Sequence, residues 1–370
     1  MLIVPAKPFD TLTVKEKFVG GTYEGVGHTA FFTLGRYALL YTLEHFGIKP
    51  FDNVLCPAYC CKSALEPMVS LGFDVTFVDI TIDLNIDTNV LISEMERKNS
   101  KAVILPDYFG LFDTSSETIY EECNKRGVIV IKDCAHSYLS YLYAPKKHFC
   151  DAVILSMRKS VNIHYGGVAI ITGKNIESKC TVQESLLARK KFGFMKWAER
   201  VSMQAGINIY GKTITSLKNL LHKETNDEVI SEVNAADHEI NGVEAKYLLN
   251  RNYYSMEVAS SRRMNFQKLK TLLKTSGITA PALILNDKVP QIYPVYGDIA
   301  LCTYLRNNGI GATMWPFTDI PAEVINGIIF YPNTDHFLTH LVCLPIHQGL
   351  SEKHLKKMSE LIHKYVATKQ

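Results

Sequence analysis

The 370-residue chain lacks a strong charge of either sign, a paired-cysteine motif, a long apolar run and a glycine-rich nucleotide turn. Forty Lys+Arg against 37 Asp+Glu leave a formal charge of +3, and no basic stripe interleaved with aromatics occurs. The electrostatic footprint of a nucleic-acid groove is therefore missing, and nucleic acid is excluded as an expected partner. The nine cysteines are scattered, odd in number and without a CxxC pair. They read as reduced thiols packed as small apolar residues rather than as a disulfide or zinc framework. No apolar stretch approaches the ~20 residues that span a bilayer, and the opening MLIVPAKPFD meets Pro5 and Lys7 without the basic n-region of a signal peptide. The expectation is a cytoplasmic chain with no membrane anchor. No GxGxxG turn follows a strand, which sets a nicotinamide dehydrogenase aside. Internal repeats and low-complexity tracts are absent too.

What is present is 47% hydrophobic and 21% charged, with mean hydropathy +0.01, the balance of a globular chain with ample core. Apolar, β-branched runs recur as NVLCP (Asn53 to Pro57), DVTFVDI (Asp74 to Ile80), AVILPDYFG (Ala102 to Gly110), GVIVIKD (Gly127 to Asp133), DAVILS (Asp151 to Ser156) and GGVAIIT (Gly166 to Thr172). Helical periodicity fills Arg36 to Phe46, Ser63 to Leu71, Val90 to Lys98 and Ser116 to Arg126 between them. The alternation predicts an α/β fold, a mostly parallel sheet sandwiched by helices, with its chemistry at the carboxyl ends of the strands. A polar stretch from about Lys191 to Glu239 marks a connection. The boundary is placed there, giving a large domain over 1–240 and a smaller α+β domain over 241–370. The latter has a helical block at Gly242 to Ser276, strand-like pieces at Pro290 to Val295 and His340 to Leu344, and a closing helix at Ser351 to Val366.

Three residues stand at strand ends or strand-to-helix turns. Asp133 ends the apolar run VIVIKD, where it is either a site carboxylate or an N-cap. Lys159, at the next strand end in DAVILSMRKS, is either a nucleophilic amine or half of a solvated Arg158–Lys159 pair. Gly35, in TLGRYALL, opens a helix whose first N–H groups either cradle a phosphate or merely follow a turn. Together they supply what pyridoxal 5'-phosphate demands. Its aldehyde needs a lysine amine, its ring nitrogen a carboxylate, and its phosphate an anion site.

The chain resembles the DegT/DnrJ/EryC1 family of pyridoxal-phosphate-dependent sugar aminotransferases, which have the aspartate-aminotransferase fold (fold type I). The matching motifs run nearly its whole length. They are GRYALLYTLEHFGIKPFDNVLCPAY (Gly35 to Tyr59), GFDVTFVDITIDLNID (Gly72 to Asp87), LPDYFG (Leu105 to Gly110), IKDCAHS (Ile131 to Ser137), SMRKSVNIHYGGVAIIT (Ser156 to Thr172), RRMNFQKL (Arg262 to Leu269) and LPIHQGLSEKHLKKM (Leu344 to Met358). The resemblance implies that Lys159 is the cofactor-bound lysine and the acid/base that moves the proton. It implies that Asp133 holds the ring nitrogen protonated and that His136 lies near the ring's phenolic oxygen. Gly35, Arg36 and Tyr37 would offer N–H groups to the phosphate, Arg36 adding its guanidinium and Ser156 a hydroxyl. A homodimer with shared active sites, an amino-acid donor such as glutamate and a keto-sugar acceptor are implied as partners.

The chain departs from the family pattern at several points. The usual SGTAAL turn is TLGRYAL here, without its hydroxyl donor. The position that often carries an aromatic over the ring is Cys61, which leaves Tyr59 as the nearest aromatic. INGVEAKYLLNR (Ile240 to Arg251) stands where a cross-subunit segment is expected. Trp315–Pro316 resembles a substrate-side loop but equally fits core packing, His347 fits a turn, and Cys60–Cys61 fits buried packing. The reading the resemblance implies is amination of a keto sugar, expected to be nucleotide-linked, in amino-sugar or surface-polysaccharide synthesis. The alternatives are a sugar dehydratase of the same family, whose known members carry histidine in place of the lysine, and a non-catalytic regulator keeping the fold.

Overall fold

The computed structural model describes Val4 and residues 28–114, 116–143, 149–160, 166–172, 255–281 and 285–369. The boundary expected at 240/241, the connection before it and the segment Ile240 to Arg251 lie outside these residues.

Each apolar run of the first half forms a strand within two residues of its predicted start. These are β2 (Asn53–Pro57), β3 (Asp74–Val78), β4 (Ala102–Tyr108), β6 (Ile129–Cys134), β7 (Ala152–Ser156) and β8 (Gly167–Ile171). Two further strands join them: β1 (His28–Phe32), antiparallel to β8, and the two-residue β5 (Phe112–Asp113), which pairs with the end of β4. The order across the sheet is β1-β8-β7-β6-β4-β2-β3, parallel from β7 to β3. Side chains alternate between its faces. Val54, Cys56, Ile104, Ile131 and Ile154 pack under α1 (Gly35–His45) and α2 (Lys62–Ser70). Leu55, Val103, Leu105, Val130 and Leu155 pack on the other face, with α3 (Thr88–Lys98), α4 (Glu117–Lys125) and α5 (Tyr138–Tyr143). At ~1.5–3 kcal/mol per fully buried aliphatic side chain, these two layers account for strands apolar on both faces.

Helix ends follow local chemistry. Asp87 caps α3 by accepting from the N–H of Asn89 and Val90, and Asn99 closes it in the left-handed region at φ 51°. Ser116 caps α4 through the N–H of Ile119. The N-terminus of α1 has no capping side chain and no acidic residue in its first turn.

The C-terminal elements are α6 (Ser255–Leu273), β9 (Ile292–Tyr296), α7 (Ile299–Asn307), β10 (Thr313–Met314), α8 (Ala322–Asn326), α9 (Pro332–His340), β11 (Leu341–Pro345) and α10 (Glu352–Ala367). A three-stranded antiparallel sheet, β10-β11-β9, packs with α6 and α10. That core is continuous with Tyr59, Ile80, Tyr108 and Phe109, at the carboxyl ends of β2, β3 and β4. Among the described residues no helix is long and apolar enough to cross a membrane.

Candidate active site

The strand ends meet the C-terminal unit around a cleft of about 850 Å³, its solvent-filled mouth included. Asp133, from the end of β6, and Lys159, from the one-turn helix Met157–Lys159 that follows β7, both line it. Parallel pairing of β6 with β7 sets these ends side by side. The turn is held by the N–H of Met157 donating to Gly166 O at 2.8 Å and that of Ser160 donating to Met157 O at 3.0 Å.

Asp133 accepts from the N–H of Ala135 at 2.8 Å through Oδ1, and α5 begins only at Tyr138, so its carboxyl does not cap that helix. Burial raises it above the ordinary carboxylate value, while the Lys159 ammonium and the Ala135 N–H pull the other way. Lys159 is thus close enough for its charge to favour the ionised form of Asp133.

The cleft is also lined by Leu34, Gly35, Arg36, Ser156 and Arg158, with Gly35 and Arg36 in the uncapped first turn of α1. The positive end of that helix and its backbone N–H groups favour an anion there. The approach is tight. A Cβ on Gly167 would stand 2.3 Å from Leu34 O and 2.7 Å from Gly35 N, so only glycine lets β8 back onto this turn. Ser156 is buried. Arg36 donates to Glu66 at 2.7 Å. Arg158 has an Nε that is buried without a hydrogen-bond partner, and burial followed by the Arg36 charge pulls its guanidinium below the ordinary arginine value. An unpartnered guanidinium Nε beside a second cation and an uncapped helix start has the chemistry of an anion site. Sequence reasoning saw Arg158 only as a neighbour of the lysine. Of the three N–H groups expected on a phosphate, that of Tyr37 donates to Leu34 O at 3.2 Å, and Tyr37 is not part of the cleft lining.

Its wall is further formed by Cys56, Cys60, Cys61, Tyr108, His136 and Trp315. Tyr59 is placed elsewhere. It is fully buried, outside the lining, and its hydroxyl donates to Trp315 O at 2.9 Å. The aromatics in the wall are Tyr108 and Trp315, the latter packed edge-on to Tyr59 at 4.9 Å and to His136 at 4.9 Å. His136 also stacks on Phe109, with centroids 5.4 Å apart and planes at 13°. The cysteines are packed thiols. A hydrogen bond with Cys56, then burial, raises the Cys60 thiol, and burial raises Cys61 against the pull of Lys159. His347 is buried away from the cleft and accepts the Gly349 N–H at Nδ1, which is the turn role. No cluster of three or more His, Cys, Asp or Glu able to hold a metal occurs among the described residues.

Comparison with known proteins follows this geometry. Residues 16–182 match the model of the DegT/DnrJ/EryC1/StrS aminotransferase family. Protein MosB of Rhizobium meliloti is 30% identical over 155 residues, 41% of this chain, and the match spans only 29% of MosB. PseC of Helicobacter pylori, an aminotransferase involved in the biosynthesis of pseudoaminic acid, superposes with TM-score 0.65 at 16% identity, covering 93% of this chain and 88% of its own. A Streptococcus pneumoniae protein solved in a PLP form superposes with TM-score 0.68 at 14% identity over 99% of both chains. These structures share the fold, and the family match covers the segment that brings Gly35, Asp133, His136, Ser156 and Lys159 to one cleft. Over residues 16–182 the chain is thus similar to the DegT/DnrJ/EryC1/StrS aminotransferase family, and its fold is that of the superposed structures.

Proposed function

We propose that the protein is a pyridoxal-phosphate-dependent aminotransferase that moves an amino group from an amino acid, glutamate first among candidates, to a nucleotide-linked keto sugar. Such a reaction belongs to amino-sugar or surface-polysaccharide synthesis in the cytoplasm. A homodimer with shared sites is part of this reading, as is a division of labour between a large domain, 1–240, and a small one, 241–370. The observation that carries it is that one cleft is lined by Lys159 and Asp133 together with an uncapped helix N-terminus, Arg158, Arg36 and buried Ser156. Lysine, carboxylate and anion cradle are the three elements the cofactor requires, so the residues fit it.

When bound, pyridoxal phosphate supplies an aldehyde and an electron-accepting ring through which an amino group passes between carbons. The chain does the rest. The α1 N-terminus, Ser156 and Arg158 hold the phosphate, with Arg36 adding charge that Glu66 partly offsets. Asp133, its ionised form favoured by Lys159, keeps a proton on the ring nitrogen. His136, packed between Phe109 and Trp315, would be the group nearest the ring's phenolic oxygen. The Lys159 amine would be the group that holds the aldehyde carbon, and once free it would carry the proton between carbons as general base and acid. Trp315 helps keep water from the wall.

The sugar-dehydratase reading is disfavoured by Lys159, and the non-catalytic reading by the orphaned Arg158 Nε. The test is the absorbance spectrum of the protein with added pyridoxal phosphate, before and after glutamate, for wild type and Lys159→Ala. Wild type is expected to show a bound-cofactor band that glutamate moves toward the near ultraviolet. Lys159→Ala should lose that band and ~10²–10⁴-fold of turnover. Full turnover in the variant would overturn the assignment, and no band in wild type would bring the regulator reading forward.

A further inference from the structure

Arg262 is the largest fully buried side chain among the described residues, with 2% of its surface exposed, and it lies on α6, outside the cleft lining. Its Nε donates to Gln348 Oε1 at 3.2 Å, its Nη1 to Gln291 O at 3.1 Å and its Nη2 to Ser160 O at 3.0 Å. Two of these partners converge on the same short piece of chain. Gln291 Nε2 donates to Lys159 O at 3.4 Å, and Gln348 Nε2 donates to Ser160 O at 3.3 Å. The carbonyls of Lys159 and of the residue after it are therefore gripped by three side chains from three C-terminal segments. These are α6, the approach to β9 and the turn after β11. Asn265, one turn along α6, fixes that last turn by donating to Ile346 O and His347 O.

Burying a guanidinium costs several kcal/mol unless its donors are satisfied, and an apolar side chain of similar volume would join these segments at no such cost. What the apolar side chain lacks is rigid donors. The planar fork fixes the Ser160 carbonyl in direction as well as in distance. The cleft face of this turn carries the reactive amine, and the turn has one residue, Met157, packed in the core. Beyond the N–H bonds of Met157 and Ser160, its outer side is held through the Lys159 and Ser160 carbonyls.

We propose that Arg262, supported by Gln291 and Gln348, is a positioning residue for Lys159, which sets the direction of the amine from behind and ties it to the seating of the C-terminal unit. The inference rests on the reading of Lys159 as the cofactor-binding lysine. It predicts that loosening the grip slows capture of the cofactor's aldehyde by Lys159 without weakening the anion site of the cleft, whose residues the grip does not touch.

The experiment compares wild type with Arg262→Lys and with the milder Gln291→Ala. The latter removes the bond to Lys159 O while keeping the main-chain acceptor of Arg262. Three quantities are read for each: the thermal midpoint, its rise with inorganic phosphate, and the rate at which pyridoxal phosphate condenses on Lys159. The last is trapped with borohydride and located by peptide mass. Capture roughly ten- to hundredfold slower, with the phosphate response unchanged, supports the proposal, in Gln291→Ala alone if Arg262→Lys fails to fold. Capture at the wild-type rate in folded variants, with only a lowered midpoint, overturns it and makes Arg262 a strut. Failure of wild type itself to capture the cofactor at Lys159 overturns the functional reading, and this inference with it.

Discussion

Asp107 and Lys132 lie on the same face of β4 and β6, next to Asp113 from β5, with Lys132 and Asp113 paired at 2.6 Å and almost out of solvent. One carboxylate neutralises the lysine, and the second is surplus. Burial and then the Asp113 charge push the Asp107 carboxyl up to about 7 from 3.8, against the pull of Lys132, Lys288 and Ser137, and its Oδ1 has no hydrogen-bond partner. A folded-state value above the unfolded one means that folding takes up a proton between the two. Stability from this group is therefore greatest below about pH 4, falls as the pH rises toward 7 and stays low above it. Asp107→Asn keeps the shape and leaves Lys132 its partner Asp113. Its thermal midpoint should exceed that of wild type at pH 8, and the gap should close near pH 4. A gap independent of pH would refute the carboxyl's titration. Asp133 and Lys159 were legible in sequence because an isolated charge at the end of an apolar strand has few roles. Asp107, Arg158 and Arg262 were not, because their partners come from distant parts of the chain and leave no local pattern. Tyr59 is the nearest aromatic in sequence, whereas a strand end turns alternate residues away, and the wall takes its aromatics from the end of β4, Tyr108, and from the C-terminal unit, Trp315.

At the scale of elements, the two units cap each other's helices. Asp319, after β10, accepts from the Ser63 N–H at 3.0 Å and from its hydroxyl at 2.5 Å, at the start of α2. The N-cap of α2, Cys61, makes no side-chain cap of its own. In the other direction Asp79, just after β3, accepts from the N–H groups of Asn333 and Thr334 at 3.0 and 2.9 Å and from the Thr334 hydroxyl at 2.7 Å, at the start of α9. Removing a cap costs about 0.5–2 kcal/mol, and a buried donor left unpaired costs about 1–3 kcal/mol. Since Thr334 is fully buried and Ser63 is only partly so, Asp79→Ala should lose more stability in urea unfolding than Asp319→Ala, by about 1 kcal/mol. Equal losses would show that the α9 cap relaxes onto water. These carboxylates could not be read as caps from the sequence, since cap and helix are over 250 residues apart. The strands and the long helices were legible because their periodicity is sustained. The two-residue strand β10 and the five-residue helix α8 are too short for periodicity to register, and β1 owes its place to pairing with β8.

For the whole molecule, one sheet ends at one cleft, and the charge stored there links stability to occupancy. Arg158 is held below its ordinary value by burial and by Arg36, so carrying its charge costs the empty protein free energy, because the unfolded chain bears that cation without penalty. An anion between the two guanidiniums reverses the sign of that term. A ligand that binds only the folded state stabilises it by about 2.7 kcal/mol at one hundred times its dissociation constant. Charge-assisted hydrogen bonds to such an anion contribute about 1.5–3 kcal/mol each. Arg158→Gln should therefore raise the thermal midpoint of the ligand-free protein, or leave it unchanged, while weakening the midpoint's response to inorganic phosphate by roughly ten- to hundredfold in the concentration required. Melting curves across a phosphate series, for wild type and variant, separate these two effects. A variant that is less stable without phosphate, and responds to it as wild type does, would show that Arg158 serves packing and that the anion site rests on the α1 N-terminus and Ser156 without it.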